Sequence, residues 1–258
     1  MGHERVGILP RRKPWNEIVS LLRLALEDEF TKTASLVSQT LAEVKNRYRR
    51  LHQDSGVQAA FAYLIALSTS KLPSVEGLAS VDTKLEKNPS PLRITVDLAN
   101  WVKLHTNSPE YAELACRAAA DTISYWSREK SNQQLLFGDS TNAIHIWGDT
   151  DGRAFSSISR TFFAKLTERY VRYFIERNAS AESPSLQSRQ RLEAALSAHF
   201  DEISRHAFET TKITQSFAAG WFNKNTKTER PGDKKISGFL AVAFGKLQEE
   251  LSREGNSK

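Results

Sequence analysis

The stretch TKTASLVSQTLAEVKNRYRRLHQDSG, residues 31–56, sets Val37, Leu41, Val44, Tyr48 and Leu51 at spacings of 4, 3, 4 and 3. That period predicts a helix with one apolar seam, capped by Thr31 or Thr33 and ended by Asp54-Ser55-Gly56. Working outward, Trp15 opens another helix in which Ile18, Leu21, Leu22, Ala25 and Leu26 recur at three and four, after a basic arm at residues 2–14 that contains two prolines. Residues 57–67 are apolar nearly all the way round, and a helix without a polar face belongs among other helices. This places it at the centre of an N-terminal bundle.

Between residues 72 and 91 the character changes. Pro73, Gly77, Pro89 and Pro91 argue against a continuous helix and predict a linker or long loop, because proline removes a donor and crowds the preceding turn. A short helix over 96–104 is expected next. Ser108-Pro109-Glu110 then supplies a cap, a residue suited to the first helical position and an acid at the positive helix end. That helix should reach Trp126 or Arg128, with Ala115, Ala118, Ala119 and Ala120 offering a thin face for close approach. Residues 135–155 break the period and predict a short β-hairpin or ordered loop. Ile158, Phe162, Leu166, Tyr170 and Tyr173 or Phe174 restore a helix that stops by Asn178, before a linker. A helix over 186–217, a polar basic loop over 223–235 and a last helix over 236–253 complete the reading. The expected fold class is all-α, about eight helices. They form either one bundle or two lobes, with 1–71 as N-terminal lobe, 72–91 as linker and 92–258 as C-terminal lobe.

Composition narrows the function classes. The chain has 258 residues, 36 Lys+Arg, 30 Asp+Glu and a formal net charge of +6. Its 13 Phe, 5 Trp and 6 Tyr are enough for a packed core, which excludes wholesale disorder. One cysteine, Cys116, excludes an internal disulfide and a multi-cysteine zinc site. The longest apolar run, residues 59–67, is far shorter than the roughly 20 residues a spanning helix needs. No leader pattern is visible at the start, so a cytoplasmic location is expected.

Motifs for chemistry are sparse. His3, His52, His105, His145, His199 and His206 include no pair four apart that would share a metal on one helix face. Asp149-Thr150-Asp151-Gly152 opens like a calcium loop, but Arg153 and Arg160 stand where further acidic ligands would be needed, so a turn is expected. Asp139 and Asp149 as paired carboxylates are likewise outweighed by turn chemistry. No Walker A loop, GxGxxG, GxSxG or kinase set is present, and Glu43-Val44-Lys45 lies inside a helix rather than on a strand. No cofactor and no metal is expected.

Arg47-Tyr48-Arg49-Arg50-Leu51-His52 fits Arg-x4-His. In this it resembles the short signature of the helical HEPN ribonucleases, which implies Arg47 and His52 as a catalytic pair at a dimer cleft. The resemblance covers six residues, and Tyr48 stands where that family commonly has a polar residue. A basic helix end, where cations complement the C-terminal dipole, explains the same run.

The stronger signal is a basic surface in three places: the Lys45–Arg50 run, the 157–178 helix and the loop around 224–235. The candidate phosphate contacts are Arg49, Arg50, Arg169, Arg172, Lys234 and Lys235. In the 157–178 helix the aromatics fall on the apolar stripe, leaving an arginine-rich opposite face. Trp147 and Trp221-Phe222, beside polar stretches, are expected to be exposed interface anchors. The function expected from these features is a non-catalytic helical subunit or adaptor within a larger assembly that handles nucleic acid. The alternatives are a stand-alone nucleic-acid-binding protein and a metal-independent ribonuclease.

Overall fold

The computed structural model describes residues 13–27, 31–69, 90–107, 109–137, 147, 150–182, 185–205, 212–226 and 231–256. The fold is all-α, with no strand among the described residues. The helices are α1 (Lys13–Glu27), α2 (Thr31–Arg50), a 3-10 turn (Leu51–Gln53), α3 (Ser55–Ser68), α4 (Pro91–His105) and α5 (Pro109–Phe137). They are followed by α6 (Gly152–Glu182), α7 (Leu186–Arg205), α8 (Lys212–Asn225) and α9 (Asp233–Asn256).

Local chemistry explains the boundaries. Asp54 accepts a hydrogen bond from the Val57 amide at 3.0 Å and so caps α3. Ser90 accepts from the Arg93 amide at 3.2 Å, with Pro91 in the first helical position, and starts α4 earlier than residue 96. Asp151 accepts from the Ala154 amide at 2.7 Å, so the second carboxylate of the Asp-Thr-Asp-Gly run caps α6. Two helices outrun the sequence reading. α5 continues to Phe137 because residues 129–137 hold no proline or glycine, and α6 continues through the alanine-rich residues 179–182. Of the helix expected over 186–217, the described parts are α7 and the start of α8, and residues 206–211 between them lie outside the described residues. The hairpin expected over 135–155 gives way to helix at 135–137 and 152–155, and residues 138–146 lie outside the described residues, as does the arm before Lys13. Of the linker expected over 72–91, residues 72–89 also lie outside them, while Ser90 and Pro91 begin α4.

The seam of α2 is buried as its spacing predicts: Val37, Leu41, Val44, Tyr48 and Leu51 are all in the core. So is α3, buried from Gly56 to Ser68 except at Gln58, and packed against α4, α5, α6 and α9. Its Phe61 ring meets Phe155, Phe162, Phe163 and Phe239, with centroids 5.3–6.0 Å apart. Gly56 lets α3 cross α5 closely, since a Cβ there would lie 2.5 Å from the Ala112 Cα. Ala115, Ala118 and Ala119 are fully buried along the thin face of α5. Buried residues from α1 through α9 join in one apolar cluster. The central strut is α6, which packs on α1, α2, α3, α5, α7 and α8.

The tryptophans correct an expectation. Trp147 is only 1% exposed and packs on Trp126 at 6.2 Å, and Phe222 is buried against Phe155 at 4.4 Å. Trp221 is partly buried between Phe155 and Phe239. Beside Phe222 the polar Asn223 and Lys224 are exposed, while the rings, with the most apolar area to remove from water, turn inward. None of the three presents an exposed anchor.

Candidate nucleic-acid interface

The three basic clusters differ in what surrounds them. On α6, Arg160 pairs with Asp201 of α7 at 3.0 Å, and Arg169 pairs with Asp121 of α5. Lys165 and Arg172 both reach Glu168, at 3.1 and 3.2 Å, and Arg172 also reaches Glu193 of α7 at 3.1 Å. Glu168 is buried, and Ser197 completes its surroundings. Arg169 and Arg172, both candidate phosphate contacts, are therefore half-buried and engaged in ion pairs that hold α6 to α5 and α7. Their aromatic neighbours Phe162, Phe163, Tyr170 and Phe174 are buried, so the stripe seen in the sequence is core.

The end of α2 is different. Tyr48 points inward, where its hydroxyl shares a hydrogen bond with Thr167 of α6 at 2.9 Å and its ring packs on Tyr170 and Phe244. Burial pushes that phenol well above its usual range, a shift the Thr167 bond partly offsets. Because Tyr48 is anchored inward, Arg47, Arg49 and Arg50 are exposed. Among the described residues no carboxylate forms an ion pair with any of them.

The adjoining 3-10 turn is fastened to the far end of the chain. The His52 carbonyl accepts from Gln58 Nε2 at 2.8 Å and from the Ser237 hydroxyl of α9 at 3.2 Å, a contact spanning 185 residues of sequence. Ser237 lies one turn into α9, whose opening residues Lys234 and Lys235 are exposed and, among the described residues, likewise without an ion pair. Two of the three basic clusters thus meet at one end of the bundle, where the C-terminus of α2 and the N-terminus of α9 come together. That juxtaposition is absent from the sequence reading, since nothing local links residue 52 to residue 237.

His52 donates from Nδ1 to the Arg49 carbonyl at 2.6 Å. Arg47 turns instead into an open cleft of about 590 Å³ that it lines with Arg50, Gln53, Asp54 and Tyr111. His52 is not part of that lining. Beside Arg47 and Tyr111 lies the Tyr170 hydroxyl, buried and without a hydrogen bond of ordinary geometry. Burial drives this phenol well above its usual range, Tyr111 adds to the rise, and the Arg47 charge works against it.

Two further groups are displaced from their usual range by burial. Asp97 is buried beside Arg93, at 3.6 Å, with its other oxygen unpartnered, and burial raises its carboxyl above the usual range against the pull of Arg93. Burial also raises the Cys116 thiol, with Glu113 adding and Arg117 opposing. Among the described residues no group of three His, Cys, Asp or Glu is placed to hold a metal ion, and no helix is long and apolar enough to cross a membrane. Asp139, Asp149, His145 and His206 lie outside the described residues. No family model matches this chain, and neither a curated protein nor a solved structure matches it with significance.

Proposed function

We propose that the protein is a non-catalytic helical subunit that binds a nucleic-acid backbone with the face formed by Arg49, Arg50, Lys234 and Lys235, inside a larger assembly. The observation that carries this reading is the Ser237–His52 contact, which gathers two basic clusters that, among the described residues, no carboxylate pairs with. Cations already paired within a protein gain little from a phosphate, because the old partner must be given up. Exposed cations without such partners release condensed counterions from the strand at no such cost. Arg169 and Arg172 are left out of the face.

The assembly half of the reading rests on α4, where Leu92, Val96 and Leu104 are exposed and the first of these is 75% accessible. Large apolar side chains left in water on one helix suit a protein partner.

The test is fluorescence anisotropy of a labelled single-stranded oligonucleotide against the full chain, between 50 and 200 mM salt. Four phosphate contacts on a single strand predict a log–log slope of about −3. A slope near zero, or no binding at the low-salt end, would contradict the proposal.

A further inference from the structure

The cleft lined by Arg47, Arg50, Gln53, Asp54 and Tyr111 lies at the edge of the basic face and has a different character. It is concave, it contains an aromatic ring, and its volume of about 590 Å³ falls within the range of small-ligand sites, roughly 300–1,000 Å³. Arg47 and Arg50 are three apart on α2, so their guanidinium groups project from adjacent positions on the same side of the helix. Asp54, the one acid in the lining, already spends Oδ1 on the Val57 amide, and the formal charge of the lining remains +1. The cleft sits where the C-terminus of α2, the N-terminus of α3 and the first turn of α5, which carries Tyr111, come together. Tyr111 packs on Tyr170 at 5.8 Å and is held partly buried, a ring fixed in place at the cleft wall. The buried Tyr170 hydroxyl lies beside it, facing Tyr111 and Arg47.

We infer that this cleft takes a nucleotide bearing a terminal phosphomonoester, with Arg47 and Arg50 on the phosphate and Tyr111 stacked on the base. This rests on the nucleic-acid reading above and adds to it where a strand ends. Two neighbouring arginines favour a monoester over the internal diester, because the monoester carries close to two charges near neutral pH and three terminal oxygens open to bidentate contact. An aromatic face accepts any base, so the site selects for the phosphorylated end and not for sequence. The same chemistry is offered by a free mononucleotide, and the experiment separates the two sources.

The experiment compares four probes on the full chain: a single-stranded octamer with hydroxyls at both ends, the same octamer with a 5′-phosphate, the same with a 3′-phosphate, and adenosine monophosphate alone. One phosphorylated octamer is expected to bind about tenfold more tightly than the hydroxyl-ended one. In Arg47→Gln and in Tyr111→Leu that ratio should fall towards one. In Lys234→Gln/Lys235→Gln every octamer should weaken together, with the ratio preserved. Circular dichroism melts establish that each variant is folded. If phosphorylated and hydroxyl-ended octamers bind equally to the wild type, the cleft inference fails while the basic face stands. If no octamer binds, the backbone reading itself fails. Saturation by adenosine monophosphate with no gain for either phosphorylated octamer would overturn the strand-end assignment in favour of a free nucleotide.

Discussion

The outer side of α6 and the meeting point of α2 with α9 carry similar numbers of basic residues but use them in opposite ways. Arg160, Lys165, Arg169 and Arg172 each find a carboxylate on α5, α6 or α7, and the result is a stapled three-helix contact. Arg47, Arg49, Arg50, Lys234 and Lys235 find none among the described residues, and they cluster because a hydroxyl on α9 reaches the backbone of residue 52. Positive charge in a sequence is thus two quantities. One part is consumed in holding the fold, and the other remains to act on something outside it.

The comparison can be sharpened from the core outward. Trp147→Ala has the largest expected effect, a loss of about 3–5 kcal/mol, because it empties a fully buried site against Trp126. Its salt slope for oligonucleotide binding, measured below the lowered melting temperature, should equal the wild type's. A changed slope would return Trp147 to the binding surface.

Next comes Glu168→Gln. It leaves Lys165 and Arg172 facing a neutral amide at a buried position, and a loss of about 2 kcal/mol is expected, less than for a fully enclosed pair because both cations are partly exposed. For a chain of this length that is a fall of roughly 4–8 °C in Tm. A melt unchanged from wild type would mean that the α6 cations are not tied down as described.

The smallest effect belongs to Asp97→Asn. The folded Asp97 carboxyl holds its proton to a higher pH than the unfolded one, whose ordinary value is 3.8. Between those two values the folded state binds more protons, so stability is lost as pH rises through the window and the ionised form costs stability at neutral pH. Asp97→Asn should melt slightly higher than wild type at pH 7, with the gain vanishing as pH falls through 4. A lower Tm at pH 7 would show instead that the Arg93 pair outweighs the burial.

Much of the fold was legible because its signals are local. The 4-3-4-3 seam of α2, the nearly all-apolar α3 and the aromatic stripe of α6 are consequences of side chains that must leave water, and all three stand in the structure as read. α5 and α6 run past their expected ends because the residues there, although polar, are compatible with helix. Trp147 and Phe222 were misplaced because polar neighbours say nothing about a ring that turns the other way.

The site was legible only in part. Arg49, Arg50, Lys234 and Lys235 are visible as charge runs, and nothing in the sequence says that they converge. Arg169 and Arg172 looked equivalent to them, since their partners Asp121 and Glu193 lie 48 and 21 residues away and acquire meaning only when α5, α6 and α7 pack. Tyr111 went unnoticed altogether. Its signal was a lone aromatic two residues into the α5 sequence, indistinguishable from core.

The most direct test of the central claim measures the salt dependence of single-strand binding for two variants side by side. One is Arg49→Gln/Arg50→Gln/Lys234→Gln/Lys235→Gln, the other Arg169→Gln/Arg172→Gln, each at a temperature where both are folded. The account predicts that the first loses about three units of log–log slope while the second keeps the wild-type slope and loses Tm instead. Retention of the slope in the first variant, with its loss in the second, would contradict it and place the nucleic-acid surface on α6.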